Sequence, residues 1–134
     1  MAHLSFEYSA NLEADLDLQA FCDQLRDAMV DSGVFPLGGI RVRGTRVDVA
    51  TIAGGEDEPG FIDITLRMGM GRDEDVRVAV TEAIYAAAES WLKPQIADRP
   101  FALSIEVMEI ASRFSEKRFN TIHTFLKESG TRRG

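Results

Sequence analysis

Residues 61–110 read FIDITLRMGM GRDEDVRVAV TEAIYAAAES WLKPQIADRP FALSIEVMEI and contain a complete strand–helix–strand unit. Apolar and polar side chains alternate over residues 61–66, which predicts a half-buried strand. A glycine-rich turn at residues 69–72 then leads into a helical pattern, which Pro94 is expected to end. The alternation returns over residues 101–110 and predicts a long second strand.

The first half of the chain repeats this order at a distance of roughly 60 residues. Residues 3–8 alternate and predict a strand. From Asp17 the apolar residues follow a helical period, and Gly33 suits the end of that helix. Residues 40–52 alternate again around Gly44, which predicts a hairpin.

Two βαβ units on one sheet, with both helices on one face, predict a two-layer α/β sandwich with pseudo-twofold symmetry. We expect one domain over residues 1–134, with residues 130–134 as a disordered tail. The helices leave the second sheet face uncovered, and self-association is the simplest cover. A ferredoxin-like monomer is the alternative fold.

The composition favours a soluble globular protein of the cytoplasm. The 134 residues are 45% hydrophobic and 28% charged, and the net charge of −7 disfavours nucleic acids and anionic membranes as partners. The first residues have no basic start followed by an apolar run, so we expect no secretory signal. A single cysteine, Cys22, allows no internal disulfide and is expected to be a small core residue.

The sequence lacks the motifs of several enzyme classes. It contains no GxSxG, P-loop or HExxH motif. The two histidines, His3 and His123, are too few for a histidine-rich metal site, so no metal is expected. The apolar residues of the tail, residues 115–128, have helical spacing. His123 lies next to this apolar face, where a surface or packing role is expected.

Positive charge is concentrated in two places. Arg41, Arg43 and Arg46 lie in the predicted hairpin, and the first two share a face of its first strand because strand side chains repeat every two residues. Such a pair can grip two carboxylates, or it can belong to a solvated face paired with Asp and Glu. Arg72 ends the GMGR turn at a helix start, which is either an anion site or an ordinary tight turn.

The chain terminus is a candidate base. The first strand starts at the terminus and would fix the α-amino group in space. A free α-amine titrates at ~7.7–8.0, and burial or nearby arginines would lower that pKa. Such an amine can act as a general base near neutral pH.

Four stretches carry a resemblance to a known family: GVFPLGGIRVR at 33–43, LRMGMGR at 66–72, LSIE at 103–106 and NTIH at 120–123. They resemble the signature of the 5-carboxymethyl-2-hydroxymuconate isomerases of the tautomerase superfamily, and the match runs from His3 to about Leu126. The resemblance implies the same two βαβ units, a homotrimer and no cofactor. It also implies that the protein converts a small anionic dienol with three carboxylates into an α-keto acid in homoprotocatechuate breakdown.

In this family the base is an amino-terminal proline, whereas this chain has Ala2. Removal of Met1 would place the primary amine of Ala2 where the proline nitrogen sits, and retention of Met1 would make that nitrogen an amide. Arg41, Arg43 and Arg72 match the family's positively charged site. They would orient the substrate carboxylates and stabilise the developing enolate, and Arg41 is the expected catalytic arginine beside Ala2. Two alternatives remain: a trimeric polycarboxylate-binding protein that has lost its base, and a structural trimer whose arginines are all paired with carboxylates.

Overall fold

The computed structural model describes residues 1–96 and 98–133, with side chains up to Ser129. These described residues form four strands, three α-helices and three single-turn 3-10 helices. The strands are β1 (Ala2–Ser9), β2 (Ile40–Val47), β3 (Gly60–Gly69) and β4 (Phe101–Ile110). The α-helices are α1 (Leu18–Asp31), α2 (Glu74–Ile96) and α3 (Ile122–Arg133), and the 3-10 turns cover Ala10–Leu12, Leu37–Gly39 and Ser112–Phe114.

The sheet confirms the two βαβ units. Its order is β2-β1-β3-β4, with β1 parallel to β2, β3 parallel to β4, and the two central strands antiparallel. The two strands of each unit are therefore neighbours. In a ferredoxin-like split βαβ arrangement they would be separated, so that alternative is wrong.

The core lies between the sheet and the two long helices. Every second side chain of β1 and β3 points to this face, and α1 and α2 contribute one buried residue per turn. Aromatic rings join the sheet to the helices. The ring centroid of Phe21 lies 5.0 Å from that of Phe6 and 5.2 Å from that of Trp91. Burying aromatic and aliphatic side chains of this size stabilises the fold by ~1.5–3 kcal/mol each.

Helix α1 starts and stops where the sequence predicts. The carboxylate of Asp17 accepts a hydrogen bond from the Ala20 amide at 3.0 Å, which caps the helix start. Gly33 follows the last turn with φ +72°, a conformation that glycine adopts without a steric cost.

The predicted hairpin is wrong. Residues 40–47 form one continuous strand parallel to β1, and residues 48–59 leave the sheet as a loop. Gly44 lies opposite Phe6 in the register, and a methyl group at position 44 would collide with the Phe6 ring. The glycine therefore makes room for an aromatic ring and does not turn the chain.

Two other helix boundaries differ from the prediction. Helix α2 continues through Pro94 to Ile96, and its last turn keeps a hydrogen bond of 2.7 Å from the Gln95 side chain to the Trp91 carbonyl. The last helix begins at Ile122, where the Asn120 side chain accepts from the backbone amide at 2.9 Å. Residues 115–121, predicted as helical, are extended or irregular.

The backbone of α3 runs to Arg133, whereas Gly134 lies outside the described residues. The tail expected at residues 130–134 stays a prediction.

The second face of the sheet is polar. It presents exposed charged side chains from β1, β3 and β4, among them Glu7, Asp63, Arg67 and Glu106. Its basic end lies beside the amino terminus, since His3 pairs with Arg41 and Arg67 in the register. None of the helices in the described part of the chain has the length and apolar character needed to cross a membrane.

Candidate active site at the amino terminus

The amino terminus lies at the middle of one end of the sheet. Ala2 pairs with Ile40 on one side and Met68 on the other, and its side chain is buried. Met1 reaches beyond the strand end towards Gly39, where an added methyl group would lie 3.5 Å from the Met1 Cα. The central position of β1 thus fixes the α-amino group in space, as the sequence predicts.

A small cavity opens at this terminus, and we call it the terminus pocket. Its volume is about 100 Å³, and it is lined by Met1, His3, Arg67, Gly69, Ile110, Ser112, Ser115 and Lys117. A larger cleft of about 290 Å³ lies between α2 and β4. In that cleft Lys93 lies 3.8 Å from Glu89, and the amino terminus is not part of its lining, so the smaller pocket is the better candidate.

Two of the predicted arginines are held beside this pocket by backbone carbonyls. Arg41 donates from Nη1 to the Gly38 carbonyl at 3.1 Å. Arg72 donates to the carbonyls of Gly69 and Val34 at 3.2 Å and 3.1 Å, and its guanidinium carbon lies 5.4 Å from the centre of a phenylalanine ring at position 35. The GMGR turn and the FPLGG stretch therefore meet here.

Neither arginine forms an ion pair with a carboxylate among the described residues. A neutral carbonyl orients a guanidinium and leaves its charge available, whereas a carboxylate would cancel it. The positive charge of Arg41 and Arg72 is therefore not cancelled by a carboxylate of the described residues. The structural alternative, in which such arginines pair with carboxylates inside the subunit, disagrees with this arrangement.

The other two arginines of the strand differ from one another. Arg43 shares the face of Arg41, as predicted, and its Nη1 lies 3.2 Å from His3 Nδ1. Arg46 points to the opposite face and lies 3.0 Å from Glu13 and 2.7 Å from Asp48. Arg43 thus borders the site, and Arg46 is neutralised away from it.

The environment favours a neutral amine. Burial lowers the pKa of the Met1 α-amino group below its usual 8.0. Lys117 contributes next, through its charge and a hydrogen bond, and the charges of Arg72 and Arg41 lower the pKa further. A larger fraction of the amine is then unprotonated at neutral pH and able to accept a proton.

His3 is neutral in the same surroundings. Burial lowers the pKa of its imidazole, and the charges of Arg43 and Arg67 lower it further. Because a guanidinium only donates, Nδ1 accepts from Arg43 and the proton of the neutral ring sits on Nε2. The positive charge of the pocket therefore comes from the amine's neighbours and not from this histidine.

Sequence reasoning missed Arg67 and Lys117. The pairing of Arg67 with His3 follows from strand alternation once the register is known. Lys117 comes from the segment after β4, and no local pattern connects residue 117 with residue 1. Its approach depends on the tertiary path of the chain.

The remaining candidates have packing roles. His123 lies against Gly38, where any added methyl group would collide with its ring. Cys22 is partly buried on α1, and burial raises the pKa of its thiol, which makes it a poor nucleophile. Among the described residues no cluster of three or more His, Cys, Asp or Glu could hold a metal ion.

Comparison with known proteins gives one consistent family. The model of the family described as 5-carboxymethyl-2-hydroxymuconate isomerase matches residues 2–126. The 5-carboxymethyl-2-hydroxymuconate Delta-isomerase of Escherichia coli is 28% identical over 127 residues, which cover 95% of this chain and 100% of that protein.

Solved structures agree in fold. A crystal structure of a 5-carboxymethyl-2-hydroxymuconate delta-isomerase has a TM-score of 0.86 and 35% identity, and the match covers 94% of this chain and 93% of that one. A structure described as a fused 4-OT wild type symmetric trimer has a TM-score of 0.62 at 17% identity, covering 88% and 95%, and shares the fold alone. The chain belongs to the 5-carboxymethyl-2-hydroxymuconate isomerase family.

Proposed function

We propose that this isomerase converts a dienol polycarboxylate of the 5-carboxymethyl-2-hydroxymuconate type to its 2-oxo-3-ene isomer, without a cofactor, in bacterial breakdown of homoprotocatechuate. The observation that carries the proposal is the terminus pocket: an α-amino group with a lowered pKa lies near Arg41 and Arg72, which pair with no carboxylate among the described residues. An acidic protein with such a local positive cluster suits a small anionic substrate.

The proposed chemistry needs one base and charge stabilisation. The neutral amine takes the proton of the 2-hydroxyl group, the electron pair moves along the diene, and the ammonium returns the proton to the far carbon. The 2-hydroxyl becomes a carbonyl and one double bond shifts. Arg41 and Arg72 bind carboxylates and stabilise the negative charge of the dienolate, with Arg43 as a further carboxylate ligand.

The identity of the base depends on Met1. In the structure the free amine belongs to Met1 and the Ala2 nitrogen is a backbone amide. Removal of Met1, which the small Ala2 side chain favours, gives Ala2 the free amine at the end of a buried strand. We propose the Met1-free chain as the active form.

The test is an ultraviolet assay of dienol ketonisation with Met1-free protein, Met1-retaining protein and Met1-free Ala2→Pro. Turnover by the Met1-free protein above the buffer rate supports the proposal. Activity confined to Ala2→Pro would instead mean that the pocket is intact and the alanine amine does not act as a base.

That second outcome describes the alternative function, a polycarboxylate-binding protein, which the alanine at position 2 favours. Calorimetry with a stable tricarboxylate separates binding from turnover. Binding without turnover supports this alternative, and an absence of binding at millimolar ligand contradicts both functions.

We propose that the working form is a cytoplasmic homotrimer. The C-terminal segment exposes apolar side chains that a second copy would cover, including Phe114, Phe119 and Phe125, and the polar sheet face is open in the single chain. Light scattering of the purified protein should give three times the chain mass, and a monomer mass would contradict the trimer.

A further inference from the structure

The amino terminus of this protein is a primary amine in a place where its family has a proline. This holds whether the chain starts at Met1 or at Ala2, since neither residue is an imino acid. A primary amine has two N–H bonds, so it can condense with a carbonyl and lose both protons to give a neutral imine. Amines held in apolar surroundings or beside another cation are the ones that form such imines efficiently.

We propose that the terminus pocket has a second activity, in which its α-amino group condenses reversibly with the carbonyl carbon of a 2-oxo acid. Three features support this inference. The amine lines a cavity of about 100 Å³, which has room for several water molecules or a three-carbon acid. Arg41 and Arg72 carry charge that no carboxylate among the described residues cancels. Lys117 faces the amine from the C-terminal segment.

The first feature supplies the nucleophile. Only the unprotonated amine attacks a carbonyl, and the burial and cations that lower its pKa increase that fraction. The second feature supplies orientation. In a 2-oxo acid the carboxylate is bonded directly to the carbonyl carbon, so a cation that binds the carboxylate also holds the reacting carbon beside the amine.

The third feature supplies a proton. The amine lone pair forms the C–N bond, and the carbonyl electron pair moves to oxygen, which takes a proton from the Lys117 ammonium. The new ammonium nitrogen returns one proton to Lys117, and the resulting carbinolamine loses its hydroxyl group with the second N–H proton as water, so that a C=N bond forms. No oxidant or reductant is consumed, and addition of water reverses the reaction.

This inference uses the pocket of the proposed isomerase, whose product is itself a 2-oxo acid, but it does not depend on isomerase turnover. The test treats the full chain with pyruvate and sodium cyanoborohydride, which reduces the imine to a stable amine. Intact mass and peptide mapping then locate the label. We expect one reduced pyruvyl group, on the peptide that contains the first residue.

Matched variants separate the pocket from general amine chemistry. Lys117→Gln should lower labelling of the terminus severalfold, while Lys93→Gln, an exposed change on α2, should leave it unchanged. Acetone, which offers a ketone without a carboxylate, should label the terminus far less than pyruvate. Equal labelling by both ketones, labelling spread evenly over the lysines, or an unlabelled terminus would overturn the inference. An isomerase-inactive protein that still labels would contradict only the proposed function.

Discussion

The two ends of the sheet hold their arginines in opposite ways. At the end with the amino terminus, Arg41 and Arg72 donate to backbone carbonyls, and neither meets a carboxylate among the described residues. At the far end, Arg46 lies 3.0 Å from Glu13 and Arg99 lies 3.0 Å from an aspartate at position 15. Within the part of the chain that the structure describes, Arg41 and Arg72 thus keep their positive charge available, whereas Arg46 and Arg99 do not.

This difference shows how a protein with a net charge of −7 can hold an anion site. Glu109 also lies at the end with the terminus, but it accepts from the Gly71 amide and pairs with Arg77. The partners of Arg41 and Arg72 are instead the carbonyl oxygens of Gly38, Gly69 and Val34. The function of the local backbone is therefore to orient cations without neutralising them.

The strongest test of the comparison is to block the amine. Acetylation of the terminus of the Met1-free protein should lower kcat/KM by ~10²–10⁴-fold, because an amide cannot accept the proton. Ketonisation kinetics before and after modification measure the loss. Mass spectrometry must show that lysines are unmodified, and full activity of the acetylated chain would remove the amine from the mechanism.

Replacing one arginine at each end of the sheet with alanine tests whether the two ends differ in available positive charge. Arg41→Ala should lower kcat/KM by ~10²–10³-fold, the usual loss when one group that stabilises a developing oxyanion is removed. Arg46→Ala removes an arginine that is already neutralised and should leave kcat/KM unchanged. Similar losses in both variants would mean that the two ends do not differ in function.

The pH profile tests the electrostatics around the amine. In the chain that keeps Met1, burial and then Lys117 hold the pKa of the α-amino group below 8.0. We expect the same surroundings to lower the pKa of the Ala2 amine in the Met1-free chain, so activity should rise with pH through that lowered pKa. Lys117→Gln removes a neighbouring cation, so the amine pKa rises and the acidic limb moves to higher pH, with a severalfold loss at pH 7. Lys93→Gln is the control, and an unshifted limb in the Lys117 variant contradicts this assignment.

Adding a methyl group to a glycine at each end of the sheet should lower activity at one end and thermal stability at the other. In Gly38→Ala the methyl collides with His123 on the exposed last helix, which disturbs the carbonyl that binds Arg41, so activity should fall with little change in melting temperature. In Gly60→Ala it lies 2.7 Å from the fully buried Leu12, and such overpacking costs ~1–3 kcal/mol. Thermal melts and kinetics of both variants decide the matter.

The smallest effect concerns the ion pairs of the far end. A hydrogen bond from Tyr8 and then Arg46 lower the pKa of Glu13 below 4.5. Its stabilising contribution is therefore present above pH 4.5 and is lost as the pH falls through the lowered pKa. Glu13→Gln should reduce the melting temperature slightly at pH 7 and not at strongly acidic pH, and Glu56→Gln, in the exposed loop, should do neither.

The parts of the fold that follow local rules were predictable. The start of the helical pattern at Asp17, the Gly33 stop and the alternation of β4 each depend on neighbours within a few residues, and the structure confirms all three. The hairpin prediction at Gly44 was wrong because the residue that requires a glycine there, Phe6, is distant in sequence. Gly44 makes room for the ring of Phe6, and local sequence cannot show this contact.

The site residues also divide into those that local sequence predicts and those that depend on the tertiary structure. The alternation of residues in β2 predicted that Arg41 and Arg43 share a face, and strand geometry confirms it. Arg67 required the register, and Lys117 required the whole path of the chain. A pocket assembled from the two ends of a polypeptide leaves little trace in any short stretch.

The contact between Lys117 and the first residue has a consequence for biosynthesis. The amino terminus leaves the ribosome first, and its partner cation follows only after all four strands and both core helices have been translated. Chains fold as they emerge, so the hydrophobic layers can assemble around an incomplete cavity. A nascent chain that stops after Ile110 would have every strand of the sheet without the residue that faces its own terminus, which makes chemical competence the last property this polypeptide acquires.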